Sequence, residues 1–149
     1  MKTSITVKHQ VIIHADRMNV WSFTQDFSKR QMWDKSILHL EVLQTKPFKR
    51  VRLKTKGGVE TTLEYKLCRK PEKTSLRMIN TKSLLIAGGG GSWTYRDVGG
   101  HTEWTQINTL VLRHSSLYLL FGWIIRRQLI QSTMESMQRA GTLIETEYI

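Results

Sequence analysis

"SWTYRDVGGHTEWTQINTLVL", residues 92–112, carries its own folding instructions. A two-residue turn at Gly99-Gly100 pairs Arg96 with Glu103 and Tyr95 with Trp104, charge against charge and ring against ring. That register sorts the side chains. One face holds Trp93, Tyr95, Trp104, Gln106, Asn108 and Leu110; the other holds Thr94, Arg96, Glu103, Thr105 and Ile107. The first face is too polar for a sealed core and too aromatic for open water. Walls of that mixed kind suit a pocket, mostly apolar with a few polar groups that orient a guest.

Upstream, the same period of two recurs. Ile5, Val7, His9, Val11 and Ile13 alternate with polar residues and predict a strand with one buried face. Asp16 then predicts a helix cap, followed by Val20, Trp21 and Phe23, and a second short helical piece is expected over about 26–33. From Ile37 the strand period returns with Leu38, Leu40 and Val42 on one side. Around Gly57-Gly58 a two-residue turn would pair Arg52 with Leu63 and mix the faces. A three-residue loop over Gly57-Gly58-Val59 instead pairs Lys56 with Glu60 and Arg52 with Glu64, and sets Val51 opposite Tyr65. Lys70-Pro71-Glu72-Lys73 predicts a turn, and the glycines at 88–91 predict a sharp bend in a strand.

Downstream lies "SLYLLFGWIIRR", residues 116–127, and then a helical stripe of Ile130, Met134, Met137, Gly141 and Ile144. The apolar run falls short of the ~20 residues that span a bilayer. It suits packing under a sheet edge, lining a cavity mouth, or resting on an anionic bilayer with Arg126 and Arg127 beside it.

The totals narrow the class. With 149 residues and apolar side chains spread throughout, the expectation is one domain over 1–149 with a real core. A single cysteine, Cys68, excludes an internal disulfide, and a reducing cytoplasmic setting fits. The N-terminal stretch lacks the apolar core of a signal peptide. The net charge of +11 favours anionic partners. Nucleic acid is nevertheless not expected, because carboxylates lie across from the basic row at 50–56 and no aromatics interleave it. No histidine has a partner at ligand or triad spacing, so no metal, cofactor or catalytic residue is assigned.

The order of elements resembles the START-like (SRPBCC) superfamily, of the polyketide cyclase/dehydrase and lipid transport type. Ala15-Asp16 followed by Val20-Trp21, then Asp26-Phe27, Trp33-Asp34, the late strand 102–112 and the final helix from about Trp123 carry the resemblance. Members often have proline after the Trp-Asp pair, where this chain has Lys35. The resemblance implies an α+β helix-grip fold. A curved antiparallel sheet of about seven strands wraps a long C-terminal helix, with two short helices after the first strand. It also implies a cavity between sheet and helix that binds a small or medium hydrophobic molecule, such as a lipid, isoprenoid or aromatic polyketide. The alternatives are a cyclase, dehydratase or hydrolase using the same cavity, and a module acting at an anionic membrane surface.

The residues expected in the site follow. Trp93, Tyr95, Trp104, Met134 and Met137 supply apolar area, while Gln106 and Asn108 orient. Leu120 and Trp123, with Leu117 and Phe121, line or lid the entrance, where Gly122 bends or interrupts the helix. His9 shares the inward row of the first strand. Truncating Trp104 is expected to weaken binding more than folding. The competing expectation is a space filled by these side chains, with Gln106 and Asn108 bonding each other or water.

Overall fold

The computed structural model describes residues 3–147. Strand β1 (Ser4–Ile13) leads into α1 (Arg17–Thr24) and the single turn α2 (Arg30–Trp33). Six strands follow: β2 (Ile37–Gln44), β3 (Arg50–Thr55), β4 (Glu60–Arg69), β5 (Lys73–Lys82), β6 (Ile86–Val98) and β7 (His101–Leu112). Helix α3 (Ser115–Glu147) closes the chain. The strands form one antiparallel sheet in the order β1-β7-β6-β5-β4-β3-β2, so the first strand closes onto the last. This is the helix-grip fold.

Local chemistry explains the joints. Asp16 caps α1 by accepting from the Asn19 N–H at 2.9 Å. The Gly99-Gly100 turn sets Tyr95 against Trp104 and Arg96 against Glu103, the expected register. Arg96 grips Glu103 through two hydrogen bonds of 2.8 and 3.0 Å.

The β3–β4 hairpin departs from expectation by two residues. Its loop has three residues, but they are Lys56-Gly57-Gly58, closed by the Thr55 N–H donating to the Val59 carbonyl at 2.9 Å. Arg50, not Arg52, therefore stands opposite Glu64, and Val51 faces Leu63 rather than Tyr65. The third position of such a loop takes a left-handed conformation, which Gly58 supplies at φ 79°. The expected loop would have put β-branched Val59 there, at a steric cost. Because the slip is two residues, every side chain keeps its face.

Glu64 is the beneficiary. It is buried, and its carboxylate accepts from Arg50 at 2.8 and 3.0 Å and from Arg77 at 3.0 Å. Arg52 turns to Glu41 on β2 at 2.9 Å. That edge strand is less regular than its alternation predicts. A bulge falls between Ile37 and His39, and Leu38 and Val42 are exposed.

Helix α3 also differs from expectation. It starts at Ser115 and passes through Gly122 without a break. Gly122 is buried, with the Tyr118 ring 3.5 Å from where its Cβ would be. The inward stripe is built from smaller residues than the sequence pattern indicates: Thr133, Ser136, Met137, Ala140, Gly141 and Ile144 are buried, whereas Ile130 is exposed. Small residues let the helix close on β1, where a Cβ on Gly141 would lie 3.5 Å from Ile13.

Two separate apolar clusters result. One unites Trp21, Trp33, Trp93, Tyr95 and Trp104 with Met137, Ala140 and Ile144. The other joins Ile5, Val7, Ile86 and Leu112 to Leu117, Ile125 and Leu129 of the first half of α3.

Arg50 and Arg77 hold the Glu64 carboxyl below the ordinary carboxylate range, chiefly through the Arg50 hydrogen bond. A depressed folded-state pKa stabilises the fold above the unfolded glutamate value, and that stability is lost as pH falls through the folded one. Urea denaturation across the acid range should therefore show wild type losing stability on acidification more steeply than Glu64→Gln, with the two curves converging at the acid end.

Candidate functional site

Between the two clusters lies a cavity of about 180 Å³, roofed by α3 and floored by the sheet. Leu53, Leu63, Leu76, Met78 and Leu110 come from the sheet, and Ile37 from its edge. Leu129, Ser132, Thr133 and Ser136 come from α3. Trp93 closes the aromatic end. The cavity shares Asp34, Ser36, Ser132 and Ser136 with a more open, polar recess of about 230 Å³, which adds Lys35, Gln128, Gln131, Glu135 and Arg139. The mouth thus lies between the α2–β2 corner and the middle of α3.

The polar wall has a directional order. The Asn108 amide donates to Gln106 Oε1 at 2.9 Å and to Thr133 Oγ1 at 3.4 Å. That fixes the Gln106 carboxamide with Nε2 pointing elsewhere. This N–H₂ group is buried on a 3% exposed residue and has no hydrogen-bond partner. A buried donor left unpaired costs about 1–3 kcal/mol. Gly91 makes room for the arrangement, because a Cβ there would fall 2.7 Å from Asn108 Oδ1 and 2.9 Å from the Ile107 carbonyl.

At the mouth, the Arg30 guanidinium sits against two rings, its Cζ 4.6 Å from the Trp33 centroid and 4.8 Å from that of Trp93. It donates to Asp34 Oδ2 at 2.9 and 3.2 Å. The other Asp34 oxygen accepts from the Ser36 N–H and hydroxyl at 3.2 and 2.6 Å. Both carboxylate oxygens are therefore engaged. Among the described residues no group of histidine, cysteine, aspartate and glutamate is placed to hold a metal.

The expected residues separate into distinct environments. Trp93, Gln106 and Asn108 line the cavity. Trp104, Tyr95 and Met137 sit deeper, in the packed aromatic cluster. Trp104 is fully buried, 5.5 Å from Trp93 and 5.6 Å from Trp33 between centroids, and stacks on Tyr95 at 6.0 Å. The Tyr95 hydroxyl is held at 2.7 Å by Thr24 and 2.8 Å by Gln25. Thr24 gives its own proton to the Val20 carbonyl, so Tyr95 donates to Thr24 and accepts from Gln25. Burial pushes the phenol pKa well above its ordinary value. Tyr95 thus fastens α1 to the sheet.

Met134 is half-buried on α3, and His9 is half-buried across from Gln106; neither borders the cavity. Leu120 and Trp123 are 65% and 67% exposed on the outer side of α3, away from the cavity lining, because the unbroken helix turns them outward. Leu117 packs into the second cluster. The residues that sequence reasoning missed are Leu53, Leu63, Leu76 and Met78 on the inward faces of β3 to β5, and Arg30, Asp34, Ser132, Thr133 and Ser136 around the mouth. The alternation of β3 to β5 pointed to the first group, and the i, i+4 spacing of Arg30 and Asp34 to their pairing.

Fold and cavity together define a helix-grip protein with an internal chamber. Residues 4–142 match the family described as polyketide cyclase / dehydrase and lipid transport, and the chain belongs to it. No curated protein matches the sequence. Among solved structures, TTHA0849 from Thermus thermophilus superposes with a TM-score of 0.83 at 13% identity, over 97% of this chain and 100% of that one. The Zhui aromatase/cyclase from a Streptomyces species gives 0.77 at 13% identity, over 97% and 98%. The di-domain aromatase/cyclase BexL gives 0.77 at 16% identity, over 99% of this chain; the chain spans about half, 51%, of that protein. At these identities the likeness is one of fold.

Trp104 is fully buried within the packed aromatic cluster, so its truncation bears on folding directly. Trp104→Ala should destabilise the protein by about 3–5 kcal/mol in urea denaturation, the cost of a large core truncation. Gly91→Ala should also destabilise the fold, because its Cβ would fall 2.9 Å from the Ile107 backbone carbonyl, and it should shift the Asn108 and Gln106 side-chain amide resonances, because the new methyl displaces Asn108.

Proposed function

We propose that the protein binds a compact, largely apolar molecule carrying a hydrogen-bond-accepting oxygen, its apolar body in the chamber and its oxygen on Gln106 Nε2. The observation that carries this reading is the buried, unpaired Nε2 of Gln106, a residue that lines a cavity of mixed apolar and polar walls. A buried amide N–H₂ with no protein acceptor is relieved by a ligand carbonyl or hydroxyl. The volume supports a guest, or part of one, about the size of a single ring, since an apolar cavity of ~150 Å³ holds benzene. Longer lipid, isoprenoid or polyketide ligands would extend through the polar mouth past Ser132 and Ser136. Family membership, and the lipid transport and cyclase activities in the family's description, support this ligand class.

A second reading is an enzyme of the polyketide cyclase or dehydratase type. The aromatase/cyclase likeness favours it. In that case the Gln106 donor would face a substrate oxygen on which negative charge develops.

Matched probes test the binding reading. Acetophenone should bind more tightly than ethylbenzene, which lacks the oxygen, by roughly ten-fold, the value of one net hydrogen bond. In Gln106→Leu that preference should vanish while ethylbenzene binding is kept. Equal affinity of the two probes in wild type, measured by calorimetry or side-chain amide NMR, would count against the assignment. Native mass spectrometry of protein from its own host should show a co-purifying apolar molecule that is lost in Ser132→Phe, where a ring obstructs the mouth.

A further inference from the structure

The first turns of α3 are apolar on every side. Tyr118, Gly122, Ile125 and Leu129 face the protein. On the outer side Leu119 is 77% exposed, Leu120 65% and Trp123 67%, and Ile124 is exposed as well. A helix that is hydrophobic all round is ordinarily buried all round. Here one half of its surface has nothing against it among the described residues.

The patch extends beyond the helix. Arg113, just before α3, donates from its backbone N–H to the Leu85 carbonyl at 2.9 Å and from Nε to the Ser83 carbonyl at 2.6 Å. The β5–β6 connection is thereby tied to the foot of α3. It carries Leu84, 93% exposed, and Leu85, also exposed.

Charge selects the occupant. The chain has no carboxylate between Glu72 and Asp97, nor between Glu103 and Glu135, and these two segments build this end of the molecule. They contribute Arg113 and Arg127, both exposed, and Arg126, whose Nη1 donates to the Thr6 carbonyl at 3.1 Å. Glu60 stands across from Lys82, so the arginines supply the unopposed charge.

We propose that this end docks on an anionic phospholipid surface. Leu84, Leu120 and Trp123 enter the boundary between headgroups and acyl chains, and Arg113 and Arg127 meet lipid phosphates. Aliphatic side chains with an indole and flanking guanidinium groups are the composition of an interfacial helix. A second copy is disfavoured by charge, because each carries +11. Ser132 at the cavity mouth lies nine residues from Trp123 along the same helix, about 14 Å at 1.5 Å per residue. A docked protein therefore holds its mouth close to the headgroup layer. The docking itself does not rest on the ligand proposed above.

The fluorescence of one residue reads the contact. The other tryptophans, Trp21, Trp33, Trp93 and Trp104, are at most 4% exposed, so quenching by brominated acyl chains reports Trp123. At low salt the protein should float with phosphatidylcholine vesicles containing phosphatidylserine and not with phosphatidylcholine alone. Its emission should shift to the blue and be quenched by the brominated lipid. Leu120→Ser with Trp123→Ser should weaken flotation by roughly ten-fold or more without lowering the melting temperature, because both side chains are exposed. Arg127→Glu should weaken it while Trp123 remains as reporter.

Absence of flotation with anionic vesicles at low salt would overturn the proposal. So would flotation undiminished in the double variant, which would reduce the contact to bulk charge. Concentration-dependent dimerisation in gel filtration, abolished by the same double variant, would assign the patch to a second copy instead.

Discussion

A straight helix cannot follow a strongly bent sheet along its whole length, and most of this structure follows from that mismatch. Helix α3 has 33 residues, about 50 Å at 1.5 Å per residue. It meets the sheet in two places. Toward its C-terminus, Ala140 and Gly141 let the backbone come close to β1, and the tryptophans of β6, β7 and α2 fill the remainder. Toward its N-terminus, Leu117, Ile125 and Leu129 reach Ile5, Val7, Ile86 and Leu112. Between these contacts the sheet curves away, and a cavity opens between Leu53, Leu63 and Leu76 of β3 to β5 and Leu129, Thr133 and Ser136 of α3. The chamber is this residual space, bounded by two cores that are each densely packed.

The division of labour among aromatic residues has the same origin. Five rings within 5.1 to 6.0 Å of a neighbour make a rigid plug at one end. Arg30 extends the plug outward, its guanidinium on Trp33 and Trp93 and its charge balanced by Asp34. A charge so enclosed is tolerable because it is both paired and stacked. The plug is one wall of the chamber, and its stiffness keeps that wall in place. On the convex face the same logic holds Glu64, whose burial is offset by Arg50 and Arg77 on the strands to either side.

The sheet was legible in the sequence because its signals are local. Gly99-Gly100 dictates one hairpin register, and alternation assigns inward residues on β1, β6 and β7. The slip at Gly58 shows the limit: alternation fixes parity, while the exact pairing depends on which residue can adopt a positive φ. The long helix was legible as an element but not in its rotation. Ile130 matches the hydrophobic period yet faces outward, whereas Thr133, Ser136 and Ala140 face inward. Distance to the sheet, not hydropathy, decides which face of α3 is buried. The site suffers most from this. Trp104, Tyr95 and Trp93 share one face in sequence, and only the position of the helix above them determines which ring meets a void and which meets a neighbour. Leu120 and Trp123 were misplaced for a related reason. A glycine in an apolar run reads as a break, but Gly122 is buried in an unbroken helix beside the Tyr118 ring.

The polar wall argues against regarding the chamber as a packing defect. A gap left only by geometry would be cheapest with aliphatic walls, since each buried amide without a partner destabilises the fold. Here the chain places Gln106 and Asn108 on the inner face of β7 and leaves Gly91 opposite Asn108, so that the side chain fits. Asn108 spends its own donor on Gln106 and Thr133, which holds the Gln106 amide in one orientation. Gln106 Nε2 is left unpaired, as are the indole N–H groups of Trp33 and Trp104 in the neighbouring plug, but of these three residues only Gln106 lines the chamber. Such a preorganised donor recovers the cost of lying unpaired when an acceptor enters, and its orientation costs nothing at the moment of binding. On the proposed binding reading, the wall itself would favour an oxygen-bearing guest over a pure hydrocarbon of the same shape.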